Sequence, residues 1–275
     1  VAAVGVRADG GAGKAPAVTA WGLAADRPGL DADDAAFLAE VVAALERDPF
    51  VPAHRLARGL YVSPSHLAHR FRAVAGFSPG ALAVALRMRE AKRLLAGTGL
   101  PVLQVALDVG YDSLGTFTTR FSQLVGASPG RFRARLDVPM PPVLTPDPGA
   151  GEAAVTGRIS APPGAVGVAF VGLFPSYVPA GRPLCGAVAP VPGIYRLPRC
   201  APGWYRVLAA GFLAPPSRRD LVLSRADMVG AGRQPVRVGF VGEATCDLEM
   251  RPPTLGDPPV VVSLGLLGPA DPARG

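Results

Sequence analysis

Two stretches of this chain are near copies of each other, fifty residues apart. Ser63 to Gly80 (SPSHLAHRFRAVAGFSPG) returns as Ser113 to Gly130 (SLGTFTTRFSQLVGASPG), with Ser63/Ser113, Arg70/Arg120, Phe71/Phe121, Gly76/Gly126, Ser78/Ser128, Pro79/Pro129 and Gly80/Gly130 in register. A duplication of this length builds one supersecondary unit twice. Ser63-Pro64, Ser78-Pro79 and Ser128-Pro129 are helix starts, because the hydroxyl caps a free N–H and proline at the first helical position gives up no bond. A shorter helix precedes each recognition-type helix, Pro52 to Leu60 in one copy and Pro101 to Val109 in the other. The repeated object therefore reads as a helix-turn-helix, the unit that sets one helix into a DNA major groove.

The charge sits on the same segment. Between Phe50 and Leu136 there are twelve Arg and Lys against Glu90, Asp108 and Asp112, a net +9, whereas the whole chain carries +7 and the remainder about −2. Basic charge concentrated on a duplicated helical motif points to nucleic acid as partner.

A helix is expected from Asp33, with Phe37, Val41, Ala44 and Leu45 on one face, ending before Pro49. The helix that starts at Ser78-Pro79 runs to about Ala96, with Val84, Met88, Ala91 and Leu95 at spacings of three and four. Its nineteen residues make a rod of roughly 28 Å joining the two copies. Ala57 precedes Leu67 by ten residues and Ala106 precedes Phe117 by eleven, so the second turn is read as gaining a residue at Gly110. The last helix begins at Ser128-Pro129 and ends near Leu136.

The flanks differ. Residues 1–30 are rich in Ala and Gly without periodicity and read as a flexible arm; Gly10 to Lys14 lacks the spacing and the following Ser or Thr of a phosphate-binding loop. After Asp137 a proline-rich linker (138–151) leads to short apolar runs separated by Pro/Gly turns: Ala153 to Ile159, Val166 to Phe174, Gly193 to Leu197, Trp204 to Gly211, Asp220 to Leu223, Pro235 to Val241, Cys246 to Met250 and Val260 to Leu267. Seven or eight short strands at this spacing predict an antiparallel sandwich over 152–268, with a tail at 269–275. The expected fold class is multidomain α plus β: an all-α double helix-turn-helix unit at 31–137 followed by an all-β antiparallel sandwich.

Cys185, Cys200 and Cys246 have no metal-ligand spacing, and His54, His66 and His69 all lie in the helical half, so neither a metal site nor a thiol nucleophile is indicated. No nucleophile–base pair or paired-carboxylate pattern is visible, and the expectation is a binding protein, not an enzyme, with no cofactor. No segment reads as a signal peptide or membrane span, which places the protein in the cytoplasm.

From about Val51 to Arg133 the chain resembles the DNA-binding domain of the AraC/XylS family of bacterial transcription regulators. Carrying the resemblance are Leu56-Ala57, Ser63-Pro64, Leu67, Phe71, Gly76-Phe77-Ser78-Pro79, Arg87, Ala91, Leu94-Leu95, Val102, Val105-Ala106, Gly110-Tyr111, Phe117, Phe121, Gly126, Ser128-Pro129 and Phe132-Arg133. It implies double-stranded DNA as partner, with the two recognition helices in successive major grooves about 34 Å apart. Mapped onto these helices, the base-facing residues are Ser65, Ala68 and His69 in the first and Leu114, Gly115, Thr116 and Thr119 in the second. Many members carry Arg where this chain has His69 and Thr119, while Arg70 and Arg120 fall one position later, turned by about 100°. Those two arginines then reach phosphates or neighbouring helices instead of guanine edges. Ser63 and Ser113 serve as caps or phosphate contacts, and Arg72, Arg131 and Arg133 are phosphate candidates or solvated arginines. His69 and Ser65 suit base-edge hydrogen bonds, whereas the second helix suits thymine methyls and shape, so the first is expected to carry more specificity.

The C-terminal part resembles the transthyretin-like or carboxypeptidase-regulatory β-sandwich at Val155 to Ile159, Gly193 to Leu197, Pro202 to Tyr205, Val207 and Gly211-Phe212. Such domains bind or scaffold and do not catalyse; regulators of the AraC/XylS family attach a sensing or dimerising domain, more often N-terminally, and here it would follow, implying a small-molecule effector or a homodimer. Tyr177, Tyr195, Trp204, Tyr205 and Arg206 are candidate ligand contacts, with core packing as the other reading. A rival assignment makes the sandwich a protein- or carbohydrate-interaction module and the helical half its tether, against which the basic helices argue.

Overall fold

The computed structural model describes residues 31–136, 151–254 and 257–266. The expected arm at 1–30, linker residues 138–150 and the tail at 269–275 lie outside these residues. Seven helices come first: α1 (Ala32–Arg47), α2 (Ala53–Gly59), α3 (Pro64–Ala75), α4 (Pro79–Gly97), α5 (Val102–Asp108), α6 (Leu114–Val125) and α7 (Pro129–Ala134). Their ends have local causes. The hydroxyl oxygens of Ser63, Ser78, Ser113 and Ser128 accept the N–H of His66, Ala81, Thr116 and Arg131, and Asp31 accepts that of Asp34. Helices α3 and α6 stop at Gly76 and Gly126, at φ +82° and +93°, the left-handed geometry that glycine adopts without steric cost.

The two inter-helix turns superpose bond for bond until just before the second cap. Tyr61 and Gly110 occupy the same left-handed slot, at φ +56° and +74°, and donate to the carbonyls of Arg58 and Leu107. Val62 and Tyr111, which follow, donate to Ala57 and Ala106. The additional residue of the second copy is therefore Asp112, ahead of the capping Ser113, and not Gly110 as the sequence suggested. Phe71, Phe117, Phe121 and Phe132 are fully buried, the last two meeting edge to face.

The C-terminal half holds β1 (Ala153–Ser160), β2 (Gly167–Phe174), β3 (Gly186–Val191), β4 (Gly193–Cys200), β5 (Gly203–Phe212), α8 (Arg218–Leu223), β6 (Met228–Gly232), β7 (Val236–Val238), β8 (Glu243–Thr245) and β9 (Leu248–Arg251), then a 3-10 turn at Leu264–Leu266. Strand order is β3-β2-β5-β6-β9-β1-β4, with β7 on β5 and β8 on β1. The end strands β3 and β4 are consecutive in the chain and pack together, so the sheet nearly closes on itself. Six of the eight runs expected to be strands contain one, but pairing of β1 with β8 and β9 is parallel, giving one mixed sheet where an antiparallel sandwich was anticipated. Two expected strands are corrected. The run from Asp220 to Leu223 is part of α8, because Ser217 and Asp220 form a reciprocal capping box. The run beginning at Val260 forms no strand among its described residues and instead packs against the helices.

Strands β2 and β5 explain how the halves meet. Ala169, Val171, Leu173, Val207 and Ala209 point into the interior of the sheet, while the alternate residues Phe170, Phe174, Leu208, Ala210 and Phe212 join the core that continues through the helices. Both faces of these strands are apolar because both are covered. Lys92 of α4 is 1% exposed at this junction, its ammonium donating to Ser224 Oγ (3.2 Å), Val260 O (3.4 Å) and Val261 O (3.2 Å). Desolvation lowers its pKa from 10.5 to about 7. Arg218 and Arg219 of α8 add bonds to the carbonyls of Arg135 and Ala96.

Candidate nucleic-acid interface

Each recognition helix is held from behind by its own apolar stripe, Leu67 and Phe71 in α3, Phe117 and Phe121 in α6, all fully buried or nearly so. That fixes which side faces out. Ser65 and His69 of α3 and Leu114, Gly115, Thr116 and Thr119 of α6 are exposed, and Ala68 is half-buried beside them. These exposures hold with the β half in place, so the sheet leaves both outward faces open. Thr116 is partly committed locally, since Ser113 donates to its hydroxyl at 2.8 Å. The register of the duplication adds one residue that sequence reasoning passed over: His66 occupies the place of Thr116 and is exposed in the first turn of α3.

The basic residues divide into internal and outward groups. Arg70 does not face solvent freely: it bonds Asp34 at 2.8 Å and Asp33 at 2.9 Å in the first turn of α1, and its guanidinium lies 4.3 Å from the Phe37 ring. These carboxylates raise its pKa further, Asp34 most. Arg120, its duplicate, is exposed, because the corresponding stretch of α4, Leu82 to Val84, has no acid to offer. Arg133 donates to Leu95 O at 3.2 Å and to Leu100 O, joining the end of α7 to the end of α4 and the turn that follows it. Arg87 bonds Val109 O at 2.9 Å and lies over the rings of Phe50 and Tyr111. Arg89 and Arg93 pair with Glu46 and Glu90. Arg55, Arg58, Arg72 and Arg120 remain exposed and Arg131 is half-buried. Head one thus presents three exposed arginines on α2 and α3, and head two presents Arg120 on α6.

Of the five candidate ligand residues of the β half, Tyr177 and Arg206 are in contact, and the five do not form one site. Tyr177 stacks under Arg206 at 3.7 Å in the junction with the helices. Tyr195 is buried inside the sheet, its hydroxyl donating to Cys246 O, and burial raises its pKa. Tyr205 donates to Pro202 O at 3.1 Å, and Trp204 is exposed. Tyr205 and Arg206 are neighbours on β5 and so point to opposite faces. Among the described residues no cluster of three or more His, Cys, Asp or Glu side chains is placed to hold a metal, and no helix is long and apolar enough to cross a membrane.

Comparison with known proteins locates the similarity in the helical half. A helix-turn-helix domain family matches residues 56–135. The arabinose operon regulatory protein of Salmonella typhimurium is 38% identical over 79 residues, 29% of this chain and 28% of that protein. The HTH-type transcriptional regulator CdhR of Pseudomonas aeruginosa is 32% identical over 116 residues, 42% of this chain and 34% of that protein. The matched segments span about a third or less of these relatives. Among solved structures, the DNA-binding domain of AdpA, in complex with a target DNA, is 31% identical with a TM-score of 0.33, covering 35% of this chain and 89% of that one.

Proposed function

With residues 56–135 an AraC-type helix-turn-helix domain, we propose that this chain is a sequence-specific transcription regulator that reads two adjacent major-groove segments with α3 and α6. The observation that carries the reading is the pair of equivalent, outward helix faces at the two ends of the nineteen-residue α4. That rod is roughly 28 Å long, short of the groove repeat of about 34 Å by an amount that the widths of the heads can span. His69, Ser65 and His66 offer hydrogen bonds to base edges. Leu114 and the Thr116 and Thr119 methyls suit thymine, leaving the second segment read more by shape. Arg55, Arg58, Arg72, Arg120 and Arg131 supply phosphate contacts. The C-terminal half acts in this reading as the sensing or dimerising part.

Selection of binding sites from random duplex DNA with the full chain tests it. Two half-sites about one helical turn apart, with affinity falling steeply as salt rises, are expected, since each neutralised phosphate contributes about −0.9 to the log–log slope. Absence of any enriched site refutes the proposal, and His69→Ala is expected to relax preference at one half-site only.

A further inference from the structure

One loop of the β half touches the same point on both heads. The chain between β2 and β3 carries Tyr177, whose ring covers Gly76, the residue that ends α3: a methyl group there would stand 2.6 Å from the ring. Four residues on, the Gly181 N–H donates to Leu124 O at 2.6 Å in the last turn of α6. Next to it, the stem of Arg182 lies over Gly126, the residue that ends α6. Gly76 and Gly126 are partners in the duplication, so a single short segment sits across its two equivalent corners. Tyr177 and Gly181 can be no more than about 14 Å apart along an extended chain.

The segment is built to be stiff. Pro175, Pro179 and Pro183 recur at every fourth position, each fixing its own φ. Pro179 O accepts the N–H of both Val261 and Val262. The following Ser263 N–H donates to Val125 O at 3.0 Å, and its hydroxyl donates to Val222 O at 2.8 Å. Gly181 stands at φ +75°, and an added Cβ would meet Gln123 O at 3.0 Å, so the close approach to α6 requires glycine.

We propose that Tyr177 and Gly181 are positioning residues for DNA reading: they brace the C-terminal ends of α3 and α6 against one rigid loop and so set the half-site spacing the protein accepts. Neither touches DNA; each acts through the recognition helix it abuts. Without the brace the two heads are joined by α4 and by the packing of Phe50 on Gly110 with Arg87 between them, and the corners at Gly76 to Ser78 and Thr98 to Pro101 would take up angular play. Each head would still read its own half-site.

This inference rests on the regulator reading, and the test separates their failures. A two-half-site duplex selected by the full wild-type chain is compared with duplexes in which about one to three base pairs are added or removed between the half-sites, and with a single half-site. The proteins are wild type, Tyr177→Ala, Gly181→Ala and Tyr177→Phe, all as full chains with wild-type far-ultraviolet circular dichroism. Wild type and Tyr177→Phe are expected to lose affinity on the order of tenfold or more at altered spacing, since a misplaced second head forfeits its effective concentration. Tyr177→Ala and Gly181→Ala are expected to lose threefold or less on the same duplexes, to bind the single half-site as wild type does, and to exchange the amide protons of Gly181 and Ser263 faster. If Tyr177→Ala fails to fold, Gly181→Ala decides. Variants that keep the wild-type spacing penalty overturn the brace, whereas a wild type that enriches no site overturns the regulator reading and the brace with it.

Discussion

Lys92 offers the sharpest test of how the two halves are joined. Its ammonium is buried with one hydroxyl and two carbonyl oxygens as partners and no carboxylate among them, and its pKa falls from 10.5 to about 7. In the unfolded chain the lysine keeps its proton to about pH 10.5; in the folded chain it loses it near 7. Between those limits the unfolded state binds one more proton, so stability rises with pH at about 1.4 kcal/mol per pH unit. Below pH 7 both states are protonated and the penalty for the buried charge is present in full, up to about 5 kcal/mol and reduced by the three acceptors. Lys92→Met removes the titration while keeping most of the volume. Urea unfolding of both proteins from pH 6 to 10 isolates it, because Cys246 and the tyrosines titrate in both. The stability of wild type relative to Lys92→Met is expected to be level up to about pH 7 and then to climb by about 2 to 3 kcal/mol by pH 9. A difference that stays level over the whole range would refute the burial of a charge-bearing amine at this junction.

Three further outcomes follow from local geometry. Gly110→Ala forces a side chain into the left-handed slot and into the Phe50 ring, a loss of about 2 kcal/mol or more, whereas Tyr61→Gly, at the equivalent slot and 97% exposed, should gain up to about 1 kcal/mol; thermal melts of the two give opposite signs. Arg120→Ala is expected to flatten the log–log salt slope of DNA binding by about 0.9, while Arg133→Ala, which only strips donors from Leu95 O and Leu100 O, leaves the slope unchanged and costs about 1 to 3 kcal/mol of stability. The buried thiols of Cys185 and Cys200, whose sulfurs are 2.7 Å apart, are expected to be joined by diamide. Intact mass then falls by about two hydrogens and stability rises by about 3 kcal/mol for a loop of this length; one thiol, Cys246, is left for alkylation after denaturation, and all three still free would contradict it.

Much of the helical half was legible because its signals are local. Serine caps, followed by proline in all but α6, and glycine stops act within one turn, so α3, α4, α6 and α7 fall where Ser63, Ser78, Ser113 and Ser128 place them. The outward faces follow from the positions of Leu67, Phe71, Phe117 and Phe121. What escaped depends on partners distant in sequence. Arg70 looked equivalent to Arg120 until α1 brought Asp33 and Asp34 against it. Leu221 to Leu223 resembled a strand because apolar runs carry no period at that length, although Ser217 and Asp220 held the capping signal. Strand β6 was missed because Gly230 and Gly232 dilute its pattern. The doubly apolar β2 and β5 were read simply as strands; their unbroken apolar runs mark a covered second face, but that helices are what cover it is a tertiary fact with no mark in the local pattern.

The nineteen-residue rod also restricts how such a protein can drift in length. A residue gained or lost inside α4 would move the second head by only about 1.5 Å but swing it by about 100°, pointing α6 away from the duplex. The smallest change that returns it to phase, to within about 20°, is seven residues, and that displaces the head by about 10 Å, or three base-pair steps at about 3.4 Å each. Variation in operator spacing is thus open to this architecture in coarse jumps through the rod, and in small steps only through whatever is allowed to change at the rod's two corners.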